Sequence, residues 1–145
     1  MQKQVKVKIG QTKNFGKYML LVKTKLDKSK IPGAGIGLFA DQKIPKGTMI
    51  TDVQSEFSIF FTDRDIESMP KIGKDFLIAY GYRPTGNDYI AKGSMRVSLD
   101  NDRFMNHSDE PNTIETGEGT FANKDIEIGE EITTNYSIVG CDKQF

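Results

Sequence analysis

A mainly β domain of short strands is the fold class this sequence predicts, and three observations predict it. Apolar runs are brief, as in Tyr18–Val22 and Val97–Leu99, and Gly, Pro and Asn turns interrupt them. Helical periodicity is nearly absent, whereas period-two alternation appears at once in Val5, Val7 and Ile9. The third observation is an internal echo: FADQKIPKGTMIT (residues 39–51) and FANKDIEIGEEIT (residues 121–133) align without gaps. Each holds a strand end, an Ile-x-x-Gly turn and a new strand. The pair implies two similar β corners, not a solenoid, which takes at least about three repeats.

Taken in order, residues 1–16 read as a basic β extension, with a half-buried strand at Val5–Ile9 ending on Gly10. Asn14–Gly16 is a turn, and Tyr18–Val22 a more fully buried strand. SKIPGAGIGLFA (residues 29–40) follows, with glycines at 33, 35 and 37 that suit either a tight turn or a close approach of main chain to ligand. Asp52–Phe61 continues as strand. Thr62 opens one short helix, with Asp65 completing a capping box and Pro70 stopping it. Phe76–Tyr80 and Tyr89–Ala91 are apolar runs on either side of the turn-rich RPTGND. Val97–Leu99 leads into RFMNHSDEPN (residues 103–112), a cluster of Asn, His, Ser and Asp suited to an irregular loop. Gly117–Thr120 precedes the second corner.

At 145 residues the chain fits one domain with a real core. Charge balances at 20 basic and 20 acidic residues, so no overall field points to nucleic acid or membrane, and direct nucleic-acid binding is not expected. The distribution is uneven. Residues 1–30 carry nine Lys against one Asp, net +8, and residues 96–136 carry ten acids against three Arg/Lys, net −7. One cysteine, Cys141, excludes an intrachain disulfide, and a single histidine leaves no Cys/His set for a metal. The N-terminus lacks the apolar stretch of a signal peptide, and no run approaches the ~20 residues of a membrane span. A cytoplasmic protein is the expectation, with a nuclear location as the alternative.

Nucleotide loops do not fit the glycine cluster. A dinucleotide fingerprint starting at Gly33 meets Leu38 at its sixth position, and Pro45 prevents a long helix after Gly35. No Gly-Lys-Ser/Thr triplet supports a phosphate loop.

IPGAGIGLFA (residues 31–40), RFMNHSDEPN and GEEITTNY (residues 129–136), in that order, resemble the three signature segments of the SET domain. That family comprises S-adenosylmethionine-dependent protein-lysine methyltransferases. The resemblance implies a β-clip fold of short sheets, a knot-like C-terminal crossing and one short helix in an insert at about 62–90. The domain would span residues 17–137, with a short flank at 138–145. The cysteine-rich flanks of many chromatin members are missing, and the compact size is more typical of viral or bacterial ones. Either the flank, with Phe145 as a candidate to stack on adenine, or a partner chain would cover the cofactor, or the site would stay open and activity would be weak.

The same resemblance assigns roles. The main chain at Gly35, Ile36 and Gly37 would line the cofactor's methionine portion. Asn106 would accept from its amino group, and His107 would meet the adenine edge chiefly through backbone groups. Phe104 and Ile132 would be core. Tyr136 is the catalytic candidate: a hydroxyl that orients methyl and amine works by positioning and electrostatics, and an amine held neutral needs no carboxylate base. Tyr80 and Tyr82 are candidates for the wall of the lysine channel, with core packing as the other reading. Glu130 and Glu131, adjacent on a strand, face opposite ways and so form no acid/base pair; they read as structural. Arg103 reads as a surface or salt-bridge residue. The expected partner is a lysine-containing protein or peptide, drawn in by the acidic C-terminal half, and the oligomeric state is open. Two other readings are a SET-like module that binds without turnover and a non-enzymatic β-clip domain of the antifreeze type, which would need neither RFMNHS nor GEEITTNY.

Overall fold

The structure, a computed structural model, describes residues 20–52, 58–83 and 95–137. The basic extension with its Val5–Ile9 strand, most of RPTGND, Tyr89–Ala91, and the C-terminal flank with Cys141 and Phe145 lie outside the described residues.

Ten short strands and two helices make up the described chain. In order they are β1 (Thr24–Lys28), β2 (Ile36–Ala40), β3 (Met49–Asp52), β4 (Ser58–Phe61), α1 (Asp63–Ser68), α2 (Lys71–Tyr80) and β5 (Gly81–Tyr82). Then come β6 (Met95–Ser98), a 3₁₀ turn (Asn101–Phe104), β7 (Asn106–His107), β8 (Thr113–Glu115), β9 (Gly119–Ala122) and β10 (Glu131–Thr134). They form three small sheets, ordered β1-β2-β10-β7, β3-β9-β8 and β4-β6-β5. The mainly β expectation holds. Among the described residues no helix is long and apolar enough to cross a membrane.

The echo is a pair of corners that grip each other. Ile44 and Ile126, equivalent positions in the two units, exchange main-chain hydrogen bonds, each 2.9 Å, and both side chains are fully buried. The reciprocity extends outward: Gly47 N–H donates to Ala122 O at 2.7 Å, and Gly129 N–H donates to Ala40 O at 2.8 Å. Gly47 and Gly129 sit at φ +83° and +85°, a left-handed turn that a Cβ penalises. Around these corners Leu38, Ile50, Met105, Ala122 and Ile132 complete the main core. A second, smaller core of Ile66, Leu77, Met95 and Val97 sits between the helices and the β4-β6-β5 sheet.

Three details differ from the sequence reading. Leu20–Val22 is not a strand; the strand is Thr24–Lys28, whose largely exposed residues suit the edge position it takes beside β2. Asp52–Phe61 is not continuous, since β3 ends at Asp52 and β4 starts at Ser58. The expected single helix is α1, capped as predicted: Asp65 N–H donates to Thr62 Oγ1 at 3.2 Å, and Thr62 N–H donates to Asp65 Oδ2 at 2.7 Å. A second helix follows, because Pro70 ends one helix and caps the next, its fixed φ suiting a helix entry. The apolar run Phe76–Tyr80 belongs to this α2, which buries Leu77 and leaves Ile72 exposed.

Candidate functional site

The site grows from the β1-β2-β10-β7 sheet. β2 and β10 pair antiparallel through Glu131↔Phe39 and Ile132↔Leu38, and β10 pairs parallel with β7 through Thr133↔Asn106 and Thr134↔His107. The pairing places RFMNHS directly alongside GEEITTNY. Asn112 locks the two segments: its Oδ1 accepts from Thr133 N–H at 2.9 Å, and its Nδ2 donates to Glu131 O at 2.8 Å. Asn112 is only 5% exposed, so these bonds hold a buried amide in one orientation. The two motif segments are thereby held side by side as parallel neighbours in one sheet.

The glycine loop reaches the same place. Ser29 N–H donates to Gly35 O at 2.8 Å and closes the turn. Gly35 adopts φ +77° with open space where a Cβ would sit, so backbone conformation selects glycine there. Gly37 has a different reason: a Cβ would overlap the Glu131 carboxylate and press on the Phe39 ring. Asn106 joins this loop to β7, its Nδ2 donating to Ile36 O at 2.9 Å and to Glu131 Oε1 at 3.0 Å. Both amide hydrogens are thereby used, and among the described residues no group donates to the Asn106 oxygen. An atom of that kind can receive a donor from a bound ligand.

Tyr136 closes the cluster. Its main-chain N–H donates to His107 Nδ1 at 3.1 Å, and its hydroxyl donates to Met105 O at 2.9 Å. The two rings lie with centroids 5.4 Å apart. Because His107 Nδ1 accepts, the ring proton belongs on Nε2, 3.1 Å from Asp109 Oδ1. The imidazole is thus a bracket for the Tyr136 backbone. With its proton directed at Met105 O, the phenol oxygen meets other groups as an acceptor.

Gly35, Ile36, Gly37, Asn106, His107 and Tyr136 therefore converge, although they come from segments about a hundred residues apart. Tyr80 and Tyr82 take different places. Tyr80 packs between a tilted Phe76 ring, centroids 5.1 Å apart, and Phe104, met edge-to-face at 5.5 Å, so it borders the 3₁₀ turn that leads into Met105. Tyr82 faces Arg96, 5.6 Å from its ring centroid, and Phe60 covers the same guanidinium from the neighbouring strand at 5.9 Å. Phe104 is half-buried, whereas Ile132 is core as expected. Arg103 caps Leu99 O at 3.2 Å and lies over the Phe104 ring at 4.8 Å.

Glu130 and Glu131 do separate. Glu130 Oε2 accepts from Glu127 N–H in the corner turn, and Glu131 faces the Asn106 loop. The sequence offered no signal for Glu131 beyond its strand position, since its side-chain partners Ser29 and Lys30 lie 102 and 101 residues away. Asp102 likewise carries no local signal in the sequence. The residue is half-buried in the 3₁₀ turn, but its Oδ1 is inaccessible to solvent, and among the described residues no group donates to that atom. Burial, reinforced by the charge of Asp100, pushes its carboxyl up to about 6, against the opposing effects of a Ser98 hydrogen bond and Arg96.

A family model described as the SET domain matches residues 35–137. A search of curated proteins gives no match. Among solved structures, the chain resembles Polycomb Repressive Complex 2 from Chaetomium thermophilum in an autoinhibited conformation bound to S-adenosylmethionine. Identity is 19%, TM-score 0.59, and the alignment covers 84% of this chain but 16% of that one, so this chain spans about a sixth of that relative's length. It also resembles the Neurospora SET domain protein DIM-5, a histone lysine methyltransferase, at 21% identity and TM-score 0.53, covering 81% of this chain and 53% of that one. At such identities these structures speak for the fold. With the family model spanning well over half of its residues and the three motif segments on adjacent strands of one sheet, the chain belongs to the SET domain family.

Proposed function

We propose that this chain is an S-adenosylmethionine-dependent protein-lysine N-methyltransferase. The supporting observation is how the three segments meet: Asn106 turns its amide hydrogens onto Ile36 O and Glu131, leaving its oxygen for a ligand, while Tyr136 is pinned at both its N–H and its hydroxyl. When bound, S-adenosylmethionine supplies an electrophilic methyl group on a sulfonium. The residues present suit it. Asn106 Oδ1 would accept from its amino group, and the main chain of the positive-φ turn at Gly35, with nothing within reach of a Cβ there, would face its methionine portion.

β7 is the edge of its sheet, and Ser108 N–H donates to Thr134 O at 3.0 Å. In such a parallel ladder the N–H and C=O of His107 point away from β10, where they can meet an adenine edge.

Attack on the methyl requires an uncharged amine, whereas free lysine has a pKa near ~10.4. Apolar surroundings disfavour the ammonium, and Tyr80 and Phe104 offer such surroundings beside Met105. The Tyr136 oxygen, acting as acceptor, then orients the amine hydrogens and fixes the approach. The partner is a lysine-containing protein or peptide.

The test is calorimetric titration with S-adenosylmethionine followed by transfer of a labelled methyl group into lysine-containing peptides. Saturable binding with label on lysine supports the reading. Binding without transfer leaves a non-catalytic module, and absence of both overturns the proposal.

A further inference from the structure

We infer that Glu131 is a positioning residue that sets cofactor affinity by fixing the orientation of the Asn106 amide. The inference rests on the reading of Asn106 as the acceptor for the cofactor's amino group. An ionised carboxylate only accepts hydrogen bonds, and this one has three donors around it. Its Oε1 accepts from Ser29 Oγ at 2.6 Å and Asn106 Nδ2 at 3.0 Å, and its Oε2 accepts from Lys30 N–H at 3.0 Å. Ser29 Oγ in turn accepts from Ile31 N–H at 3.0 Å, extending the chain of bonds into the glycine loop.

The strand holds Glu131 firmly. Its carbonyl is taken by Asn112, and Gly37 provides the space its carboxylate occupies. Two acceptors, Glu131 Oε1 and Ile36 O, therefore face the same end of Asn106, so only one amide orientation is satisfied. The oxygen is aimed the other way before any ligand arrives. Preorganisation of this kind raises affinity because binding no longer has to order the group.

Glutamine at 131 keeps the shape but brings its own N–H₂, which must oppose a donor, either Asn106 Nδ2 or Lys30 N–H. The test measures binding of S-adenosylhomocysteine, which carries the amino group, and of 5′-deoxy-5′-methylthioadenosine, which lacks the amino acid portion. Glu131→Gln is expected to weaken the first by about tenfold or more, the size of a lost charged hydrogen bond, and to leave the second within about twofold. In turnover, KM for S-adenosylmethionine should rise while kcat at saturation stays within about threefold. Ser29→Ala, a milder change that removes one donor, should weaken S-adenosylhomocysteine by about threefold with the same selectivity.

Equal weakening of both ligands, or none in either variant, overturns the inference. Asn106→Ala separates this result from the underlying reading. If Asn106→Ala loses S-adenosylhomocysteine while Glu131→Gln keeps it, only the role of Glu131 falls. If Asn106→Ala binds like the parent, the reading of Asn106 fails and this inference falls with it.

Discussion

The imidazole of His107 accepts a hydrogen bond at Nδ1 from the main-chain N–H of Tyr136, 3.1 Å away. The relationship changes what the lone histidine is for. Its ring holds the residue carrying the phenol, and its Nε2 partner Asp109 is so exposed that their pairing contributes little.

Replacing His107 should therefore act through Tyr136. His107→Leu removes the acceptor and is expected to cost about 1–2 kcal/mol of stability, together with most turnover. His107→Asn can place an oxygen near the position of Nδ1 and should keep more of both. Chemical denaturation and methyl-transfer rates on the two variants check this; equal losses in both would show that the acceptor is not what matters.

Asp102 predicts an unusual pH dependence. Its folded carboxyl is pushed up to about 6 from an ordinary value of 3.8, chiefly by burial. Between these values the folded protein holds a proton that the unfolded chain has released. Stability from this group is thus greatest at low pH, falls as pH rises through roughly 4 to 6, and stays reduced above. The cost at neutral pH is roughly 3 kcal/mol. Asp102→Asn should be more stable than the parent at pH 7.5 and should lose that advantage near pH 4. Melting curves across this range for both proteins give the difference directly, and a constant difference would rule out the titration.

The two corners supply a test of the fold. Ile44 and Ile126 are both fully buried where the echo units exchange hydrogen bonds. Ile126→Ala should cost about 2–5 kcal/mol in urea denaturation. Ile44→Ala should cost a similar amount, and the double variant should deviate from the sum, because contacting residues couple. Strict additivity would contradict a shared packing site.

Much of this architecture was legible in the chain. The echo announced two matching corners, the capping box at Thr62 and Asp65 announced α1, and the three motif segments announced the gathering of Gly35, Asn106 and Tyr136. What was hidden depended on distance or on position in the sheet. β1 reads as polar because an edge strand buries little. α2 was masked by Gly73, a weak helix former, and by an apolar stretch too short to show a helical period. Glu131 looked like a plain strand residue because its importance lies in partners contributed by Ser29 and Asn106. Tyr82 is set against Arg96, a cross-strand pairing that no local pattern shows.

The phenol of Tyr136 tests the central claim most directly, since its hydroxyl bond to Met105 O is the contact a phenylalanine cannot make. Methyl transfer from S-adenosylmethionine to a lysine-containing peptide should be measured for the parent and Tyr136→Phe, with cofactor binding measured alongside. Binding within about threefold of the parent and turnover lower by about a hundredfold or more is the expected result. Unchanged turnover in Tyr136→Phe would contradict the catalytic role given to this residue.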